Sequence, residues 1–472
     1  MLKYVYPVVA IAVMIAVVFY HFPTMGHDFL MFLSWANDYR IAWQNHGVFN
    51  IQFSPQRCLG IPVWANPVGA NFTLFHLLSL YLKDIYVAVA MIIIYGAAGF
   101  WGSRKFANLF QLDEEWKDYF AIGWILQGYI ISHIVVGHIG FITASLWPLY
   151  AYLLLKSETD KKRRILWTVV FSLLISHEFY LALVYLYVIF PMSFLLLLVV
   201  LHYLKSDLDL REALIRFLAG MGLSFFIILP KVLAMMSFGR NFHRDSAFVM
   251  IHPLAAIEYT FMSKIFPIPL NYQKITGWWY GHWESTNYLF PILMLICFVY
   301  LCVRFRQHSR LAITMFGLLG VGVFISSGVY RELVASLPFV KSFHVNPRWI
   351  LVIHLALFFF MIKFVQEIKL TKKIVPILVV LNLAMAFLLV DPQEMNLSYA
   401  YGSNYNPTTN RMSVCYEPIF GHRLELFPME EALKGRWLDP RCYLSRNQCS
   451  SMQLPEDKVK ELLDYKLQPF SE

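Results

Sequence analysis

Long apolar segments recur along almost the whole chain, and they constrain the fold more than any other feature. The first covers residues 5–20, and ten more lie near 85–101, 119–135, 140–155, 165–182, 183–203, 213–236, 287–303, 311–328, 348–365 and 374–391. Each approaches the roughly 20 residues that a helix needs to cross a bilayer. With 58% hydrophobic and only 15% charged residues, the chain is too apolar for a soluble protein. We expect an all-α polytopic membrane protein with about eleven transmembrane helices.

Basic residues predict the orientation of this bundle. Lys and Arg concentrate in alternate connections, on the same side as Lys3, at 104–105, 156–164, 205–216, 304–310 and 363–373. Because short cytoplasmic connections are enriched in Lys and Arg, this side is predicted to be cytoplasmic. The amino terminus is then inside and the carboxyl terminus outside. The net charge of +9 is therefore a topology signal, and no nucleic-acid surface is expected.

Most of the polar sequence falls on the opposite, extracytoplasmic side. We predict a membrane domain over 1–391, with a first outer loop at 22–84 and a large outer loop at 237–286, followed by an outer carboxyl-terminal region at 392–472. Apolar residues recur at helical spacing in parts of the first outer loop, which predicts juxtamembrane helices there. No repeat and no pair of similar halves is visible in the sequence.

The cysteines agree with an oxidising outer compartment. Four of the six lie in predicted outer segments, namely Cys58, Cys415, Cys442 and Cys449. We expect at least one disulfide among them, with Cys442 and Cys449 the favoured pair, although the sequence does not decide the pairing and free thiols remain the alternative.

Two carboxylates stand where the first span is predicted to leave the bilayer. Asp28 and Asp38 lie in "GHDFLMFLSWANDY", residues 26–39. Asp28 is placed to accept a proton from a water-exposed hydroxyl while it faces a lipid substrate, which is the position of a general base. The alternative is an acid that complements a helix dipole. Asp38 is a weaker candidate for substrate binding.

Two histidine motifs interrupt the apolar segments near their predicted outer ends. His133 and His138 flank a predicted turn, and they lack a third ligand at helical spacing, so we favour substrate hydrogen bonding over metal binding. His177 and Glu178 stand together inside an apolar stretch. We expect them at a turn on the membrane surface, with a polar cavity as the alternative.

Few basic residues are predicted on the outer side. Arg240, Arg244 and Arg348 are candidates for binding a phosphate group, because a guanidinium can bind phosphate through two parallel hydrogen bonds. The alternative is contact with ordinary phospholipid headgroups.

An aromatic-rich outer segment, "GWWYGHWESTNYLF", covers residues 277–290 and contains Trp279, His282 and Glu284. Aromatic rings beside a carboxylate suit sugar binding, and an interfacial aromatic belt is the alternative. The sequence motifs of P-loop ATPases, dinucleotide-binding enzymes, zinc proteases and serine hydrolases do not occur.

This arrangement resembles the GT-C superfamily of membrane glycosyltransferases, and within it the bacterial YfhO-like branch. The resemblance covers about residues 20–365, in topology more than in identity. The segments that carry it are "GHDFLMFLSWANDYRIAWQNHGVF", "GIPVWANPVGANFTLFHLLSLYL", "VVGHIGFITASLWPLYAYLL", "ESTNYLFPILMLICFVYL" and "LPFVKSFHVNPRWILVIHLAL". It implies a GT-C-like bundle, a polyprenyl-phosphate sugar donor and Asp28 as the catalytic base. Relatives often have a second acid in the next outer loop. This chain has His133 and His138 there, which leaves Glu178, Glu284 or no residue for that role.

The implied reaction transfers a hexose to an envelope glycan, such as lipopolysaccharide O-antigen or teichoic acid, at the outer face of a bacterial inner membrane. Arg348 or Arg244 would stabilise the charge on the departing phosphate, and neither a metal nor a cofactor is expected. Membrane lipids are the other expected partners. A transporter or flippase of lipid-linked saccharides is the main alternative, although the apolar segments have few charges to line a pathway. A non-catalytic assembly scaffold is a third hypothesis.

Overall fold

A computed structural model of the chain describes most of the predicted membrane domain. The described residues are 2–19, 32, 36, 39–40, 64–65, 70, 72–82, 84–156, 160–181, 183–239, 287–327, 346–388, 411–413, 416–417, 422–423 and 426–428. Several predicted site residues lie outside this part of the chain, namely Asp28, Asp38, Arg240, Arg244, Trp279, His282, Glu284, Cys58, Cys415, Cys442 and Cys449. The hypotheses about them remain predictions.

Helices dominate the described structure. The α-helices are α1 (Leu2–Val18), α2 (Leu74–Tyr81), α3 (Asp84–Asn108), α4 (Glu114–Ile125), α5 (Gly128–Val136), α6 (Trp147–Leu155), α7 (Lys161–Tyr180), α8 (Val184–Tyr203), α9 (Leu210–Gly239), α10 (Pro291–Val303), α11 (Ser309–Ser327), α12 (Leu351–Glu367) and α13 (Val375–Leu388). Short 3-10 helices cover Ile139–Leu146, Asn346–Ile350 and Lys372–Ile374.

Four very short strands follow the helices. They are β1 (Arg411–Ser413), β2 (Tyr416–Glu417), β3 (His422–Arg423) and β4 (Leu426–Pro428). β1 pairs with β4 and β2 pairs with β3, both antiparallel. They belong to the polar region that follows the last apolar segment, where the sequence predicted no strands.

Six helical segments are long and apolar enough to cross a bilayer. They are Ile85–Asn108, Glu114–Val136, Val184–Tyr203, Leu210–Ser237, Ser309–Ser327 and Arg348–Glu367. Shorter apolar segments cover Val5–Val18, Ile139–Leu155 and Pro291–Val303. The chain is therefore a multi-pass helical membrane protein, as its apolar segments predict. The expected number of eleven spans remains a prediction.

Helix α12 lies at the centre of the bundle. All its residues from 351 to 362 are buried, so it is apolar on every side, as expected for a helix surrounded by other helices. It packs against α8 and α11. In contrast, α9 exposes a row of large apolar residues that includes Leu218, Phe225 and Phe226. Such a face suits contact with lipid chains.

Ion pairs and charge-assisted hydrogen bonds join the connections at one end of the bundle, which we call the basic end. Arg104 pairs with Glu114 and Asp118, Lys117 with Glu114, Arg164 with Glu212, His308 with Glu367, and Lys372 with Asp113 and Glu115. Arg216 of α9 donates hydrogen bonds to the backbone carbonyls of Leu154 and Lys156, which satisfies acceptors at the end of α6. These connections are the ones predicted to be cytoplasmic.

The opposite end of the bundle, which we call the loop end, collects segments predicted to be outside. Segment 72–82 contacts the end of α7 through a hydrogen bond from the Leu74 amide to His177. The 3-10 helix Asn346–Ile350 contacts both segment 139–146 and the start of α8 through Arg348. The predicted alternation of connections between two sides thus agrees with the contacts at both ends.

Candidate functional site

Five of the sequence-predicted site residues lie in the described part of the chain, and all five lie at the loop end. They are His133, His138, His177, Glu178 and Arg348. The structure divides them into two neighbouring groups. One contains Arg348, His133 and His138, and the other contains His177 and Glu178. Both groups contact the segment from Ile139 to Leu155, which forms a 3-10 helix followed by α6.

Arg348 lies against two aromatic rings. It belongs to the 3-10 helix that leads into α12, and its guanidinium carbon is 5.0 Å from the ring centroid of Phe141 and 5.4 Å from that of Tyr185. Cation–π attraction stabilises this contact. Tyr185 also packs edge-on against Trp349, with 6.0 Å between ring centroids. Two other elements, the 3-10 helix Ile139–Leu146 and α8, therefore hold this cationic side chain.

The two histidines of the predicted turn meet the same phenylalanine. The ring of Phe141 is 4.6 Å from that of His133 and 5.4 Å from that of His138, and the two imidazoles are 5.6 Å apart. Gly137, between them, ends α5 with φ at 105°, a left-handed conformation that glycine adopts without strain. This sharp turn is what brings the histidines together.

The histidines differ in accessibility. His133 is fully buried, and its Nδ1 donates a hydrogen bond to the Tyr129 carbonyl at 2.8 Å. His138 is only half-buried. Among the described residues, no group of three or more His, Cys, Asp and Glu side chains is arranged to hold a metal ion. Of the pair, His138 is thus the one that a ligand at the loop end can reach.

His177 and Glu178 belong to the last turn of α7, and the predicted turn begins only after Tyr180. His177 Nε2 lies 3.2 Å from the Leu74 amide nitrogen and 3.1 Å from the Tyr95 hydroxyl. Because the amide can only donate, Nε2 is the unprotonated acceptor of the ring. His177 therefore attaches α2, in the predicted first outer loop, to the helices beneath it.

Glu178 points into the protein and is 0% exposed. Its Oε1 accepts hydrogen bonds from Trp147 Nε1 at 3.3 Å and from the Tyr150 hydroxyl at 3.2 Å. Thr143, in the 3-10 helix Ile139–Leu146, also lies beside this carboxyl group. The carboxyl group thus joins α7 to α6, the helix that continues the segment carrying Phe141.

Several residues of these groups were not identified from the sequence. Phe141 and Tyr185, which contact Arg348, lie inside apolar segments, where aromatic residues are common and carry no distinctive spacing. The same is true of Trp147 and Tyr150. Their importance depends on contacts between segments distant in the chain, and no local pattern reports such contacts.

His76, on α2, is a further residue that the sequence did not single out. It is buried, with its ring 4.7 Å from that of Tyr39. Burial lowers the pKa of His76 to about 4, because removing the ring from water disfavours the charged form. This imidazole is therefore neutral at neutral pH and adds no positive charge to the loop end.

Comparison with known proteins returns no family model that matches the chain, and neither a curated protein nor a solved structure matches it significantly. Any function must therefore be argued from the residues at the loop end.

Proposed function

We propose that this protein is a GT-C-type glycosyltransferase that moves a sugar from a polyprenyl-phosphate donor to an envelope glycan. The proposal places the reaction at the extracytoplasmic face of a bacterial inner membrane. The observation that carries it is the Arg348 guanidinium, held against Phe141 and Tyr185 beside His138 at the loop end. A planar cation held in this way can bind a phosphate group with two hydrogen bonds.

In the proposed reaction, the bond between the anomeric carbon and the phosphate oxygen breaks, and a bond to the acceptor hydroxyl oxygen forms. Asp28 takes the hydroxyl proton, and the lipid phosphate leaves with the electron pair of the broken bond. Arg348 stabilises the negative charge that develops on this phosphate, assisted by Arg244 or Arg240. His138 donates a hydrogen bond to the phosphate from the accessible side of the Phe141 ring.

In this proposal Glu178 joins two helices and takes no part in proton transfer. Its carboxyl group is buried and already accepts hydrogen bonds from Trp147 and Tyr150, so it is poorly placed to take a proton from a substrate. We therefore assign the second acidic role of related enzymes to another residue or to none. Trp279, His282 and Glu284 remain candidates for contacts with the sugar, and Asp38 for contact with the substrate.

The test is a transfer assay with purified protein, a radiolabelled polyprenyl-phosphate sugar and envelope glycan acceptors. We expect Asp28→Asn to abolish transfer without unfolding the protein. Arg348→Lys should weaken donor use by roughly tenfold, because an ammonium group cannot replace the two parallel hydrogen bonds. Arg306→Lys, on an exposed residue at the basic end, is the matched control and should change nothing. Full activity of Arg348→Met would refute the role of this cation.

One observation favours a transporter or flippase of lipid-linked saccharides as a second candidate. The span Glu114–Val136 is interrupted between α4 and α5, and interrupted helices with buried polar residues often form transport sites. Proteoliposomes that contain the pure protein and a fluorescent lipid-linked saccharide distinguish the two functions. Translocation without sugar transfer would support the second.

A further inference from the structure

A buried interruption divides the span Glu114–Val136 into two helices. α4 ends at Ile125, Gln127 is extended with φ −61° and ψ 148°, and α5 begins at Gly128. Every residue from 116 to 136 is buried. Interrupting a helix at such a depth frees backbone groups, which is tolerated only where protein or water provides partners.

Protein groups satisfy part of this requirement. The Gly128 amide donates to the Tyr288 carbonyl at 2.9 Å, and Gln127 Nε2 donates to the Trp124 carbonyl at 3.0 Å. Gln127 Oε1 accepts a hydrogen bond of 2.7 Å from Nδ1 of His354 on α12. The His354 ring also lies beside the backbone carbonyl of Asn287, which can accept a hydrogen bond from it.

Other polar atoms around the interruption have no hydrogen-bond partner within the described structure. They are His354 Nε2, the hydroxyl groups of Tyr119 and Tyr288, and both side-chain amide atoms of Asn382. None of these four residues is more than 4% exposed. Burying donors and acceptors without partners is costly, and native proteins rarely do so.

The residues that carry these atoms adjoin one another in pairs, and we call this set of residues the strip. Tyr119 and Gly123 are four residues apart on α4, so they share one face of this helix. A Cβ atom on Gly123 would lie 3.1 Å from Nδ2 of Asn382 on α13. The Tyr119 hydroxyl is near the same amide, although outside hydrogen-bond geometry.

The remaining members of the strip adjoin its two ends. Tyr288 packs against Met385, which follows Asn382 by almost one helical turn on α13. His354 is bonded to Gln127. The members of the strip therefore adjoin the interruption from several elements: Asn382 lies beside Tyr119, Tyr288 against Gly128, and His354 beside Gln127.

We propose that this strip is an internal binding site for water molecules. Water matches its chemistry, because the Asn382 amide both donates and accepts hydrogen bonds and each tyrosine hydroxyl can do either. Buried waters typically bridge several such groups. A metal ion fits less well, since none of the described side chains of the strip is a carboxylate or a thiolate.

Radiolytic hydroxyl labelling with mass spectrometry tests this proposal on the full chain in lipid nanodiscs. Hydroxyl radicals formed from bound water modify adjacent side chains even where bulk solvent cannot enter. We expect Tyr119 and Tyr288 to be modified severalfold faster than Tyr150, which is equally buried but has a protein acceptor in Glu178. Equal rates for the three tyrosines would overturn the proposal.

Substitutions then test whether the strip holds the water. Asn382→Leu should lower the modification rate of both tyrosines to that of Tyr150, whereas Leu383→Ile, one residue away, should leave the rates unchanged. Should Asn382→Leu fail to fold, Tyr288→Phe keeps the ring that packs on Met385 and should still slow the modification of Tyr119. Fast labelling that persists in a folded Asn382→Leu or Tyr288→Phe protein would place the water elsewhere and overturn the assignment.

Discussion

Glu178 illustrates what a single buried carboxyl group contributes to this fold. It accepts hydrogen bonds from Trp147 Nε1 and from the Tyr150 hydroxyl, and both donors are buried with it. The sequence marks Glu178 as unusual, because an acid interrupts an apolar segment. The sequence cannot reveal its two donors, since they lie on a different helix about thirty residues earlier in the chain.

Removing this carboxyl group should destabilise the protein measurably. We expect Glu178→Ala to cost about 1–3 kcal/mol, because it leaves Trp147 Nε1 unpaired, whereas the Tyr150 hydroxyl can still donate to the Leu174 carbonyl. Glu178→Gln keeps an acceptor oxygen at the Oε1 position and should cost clearly less. Thermal unfolding of both variants in detergent measures the difference. An alanine variant as stable as the wild type would contradict the importance of the two hydrogen bonds.

At the scale of whole elements, hydropathy predicts where the apolar helices lie in the chain better than it predicts where a helix is interrupted. The apolar segment near 119–135 appears continuous in the sequence, yet the structure interrupts it at residues 126–127. No proline marks the interruption, which is fixed by Gln127 and His354, residues more than two hundred positions apart. In contrast, α2 lies within 72–82, where helical spacing is visible locally.

Helix α3 approaches α6 closely at Gly102. A methyl group added there should therefore destabilise the protein, whereas one added at an open glycine should not. A Cβ atom on Gly102 would lie 2.5 Å from Leu149 Cβ and 3.0 Å from the Leu149 backbone, so Gly102→Ala should cost about 1–3 kcal/mol through overpacking. Gly222 of α9 has nothing within 4 Å of its Cβ position and is the matched control. Gly222→Ala should be neutral or slightly stabilising, because alanine favours the helix.

The measurement that tests this prediction is the thermal unfolding midpoint of each of the two glycine variants. A lower midpoint for Gly102→Ala alone supports the close approach of α3 and α6. Equal midpoints for the two variants would show that α3 can move away from Leu149 without loss.

For the molecule as a whole, the two ends of the bundle differ sharply in chemistry. The basic end is crossed by ion pairs, whereas the loop end contains aromatic rings, histidines and Arg348. The alternation of basic and non-basic connections along the chain predicted that the two ends would differ, because this prediction needs only the local composition of each connection. The chemistry of the loop end was less predictable, because its residues come from segments far apart in the chain and many candidates lie outside the described residues.

The orientation of these two ends in the membrane is directly measurable. In a background without native cysteines, Phe72→Cys at the loop end should react with a membrane-impermeant maleimide while the membrane that holds the protein is intact. Lys162→Cys, at the basic end, should react only after the membrane is permeabilised. Both side chains are exposed, so burial does not limit either reaction. The reverse pattern would invert the topology and remove the proposed reaction from the outer face.

The segment Ile139–Leu155 is short for a membrane crossing, and its change of helix type alters its reach. Its first half is a 3-10 helix and its second half is α6. A 3-10 helix rises about 2.0 Å per residue and an α-helix about 1.5 Å. The 3-10 geometry of the first half extends the segment to about 30 Å, against about 26 Å for an uninterrupted α-helix. For a segment that is predicted to cross the bilayer, the 3-10 turns that carry Phe141 thus bring its length close to a hydrocarbon thickness of about 30 Å without an added residue.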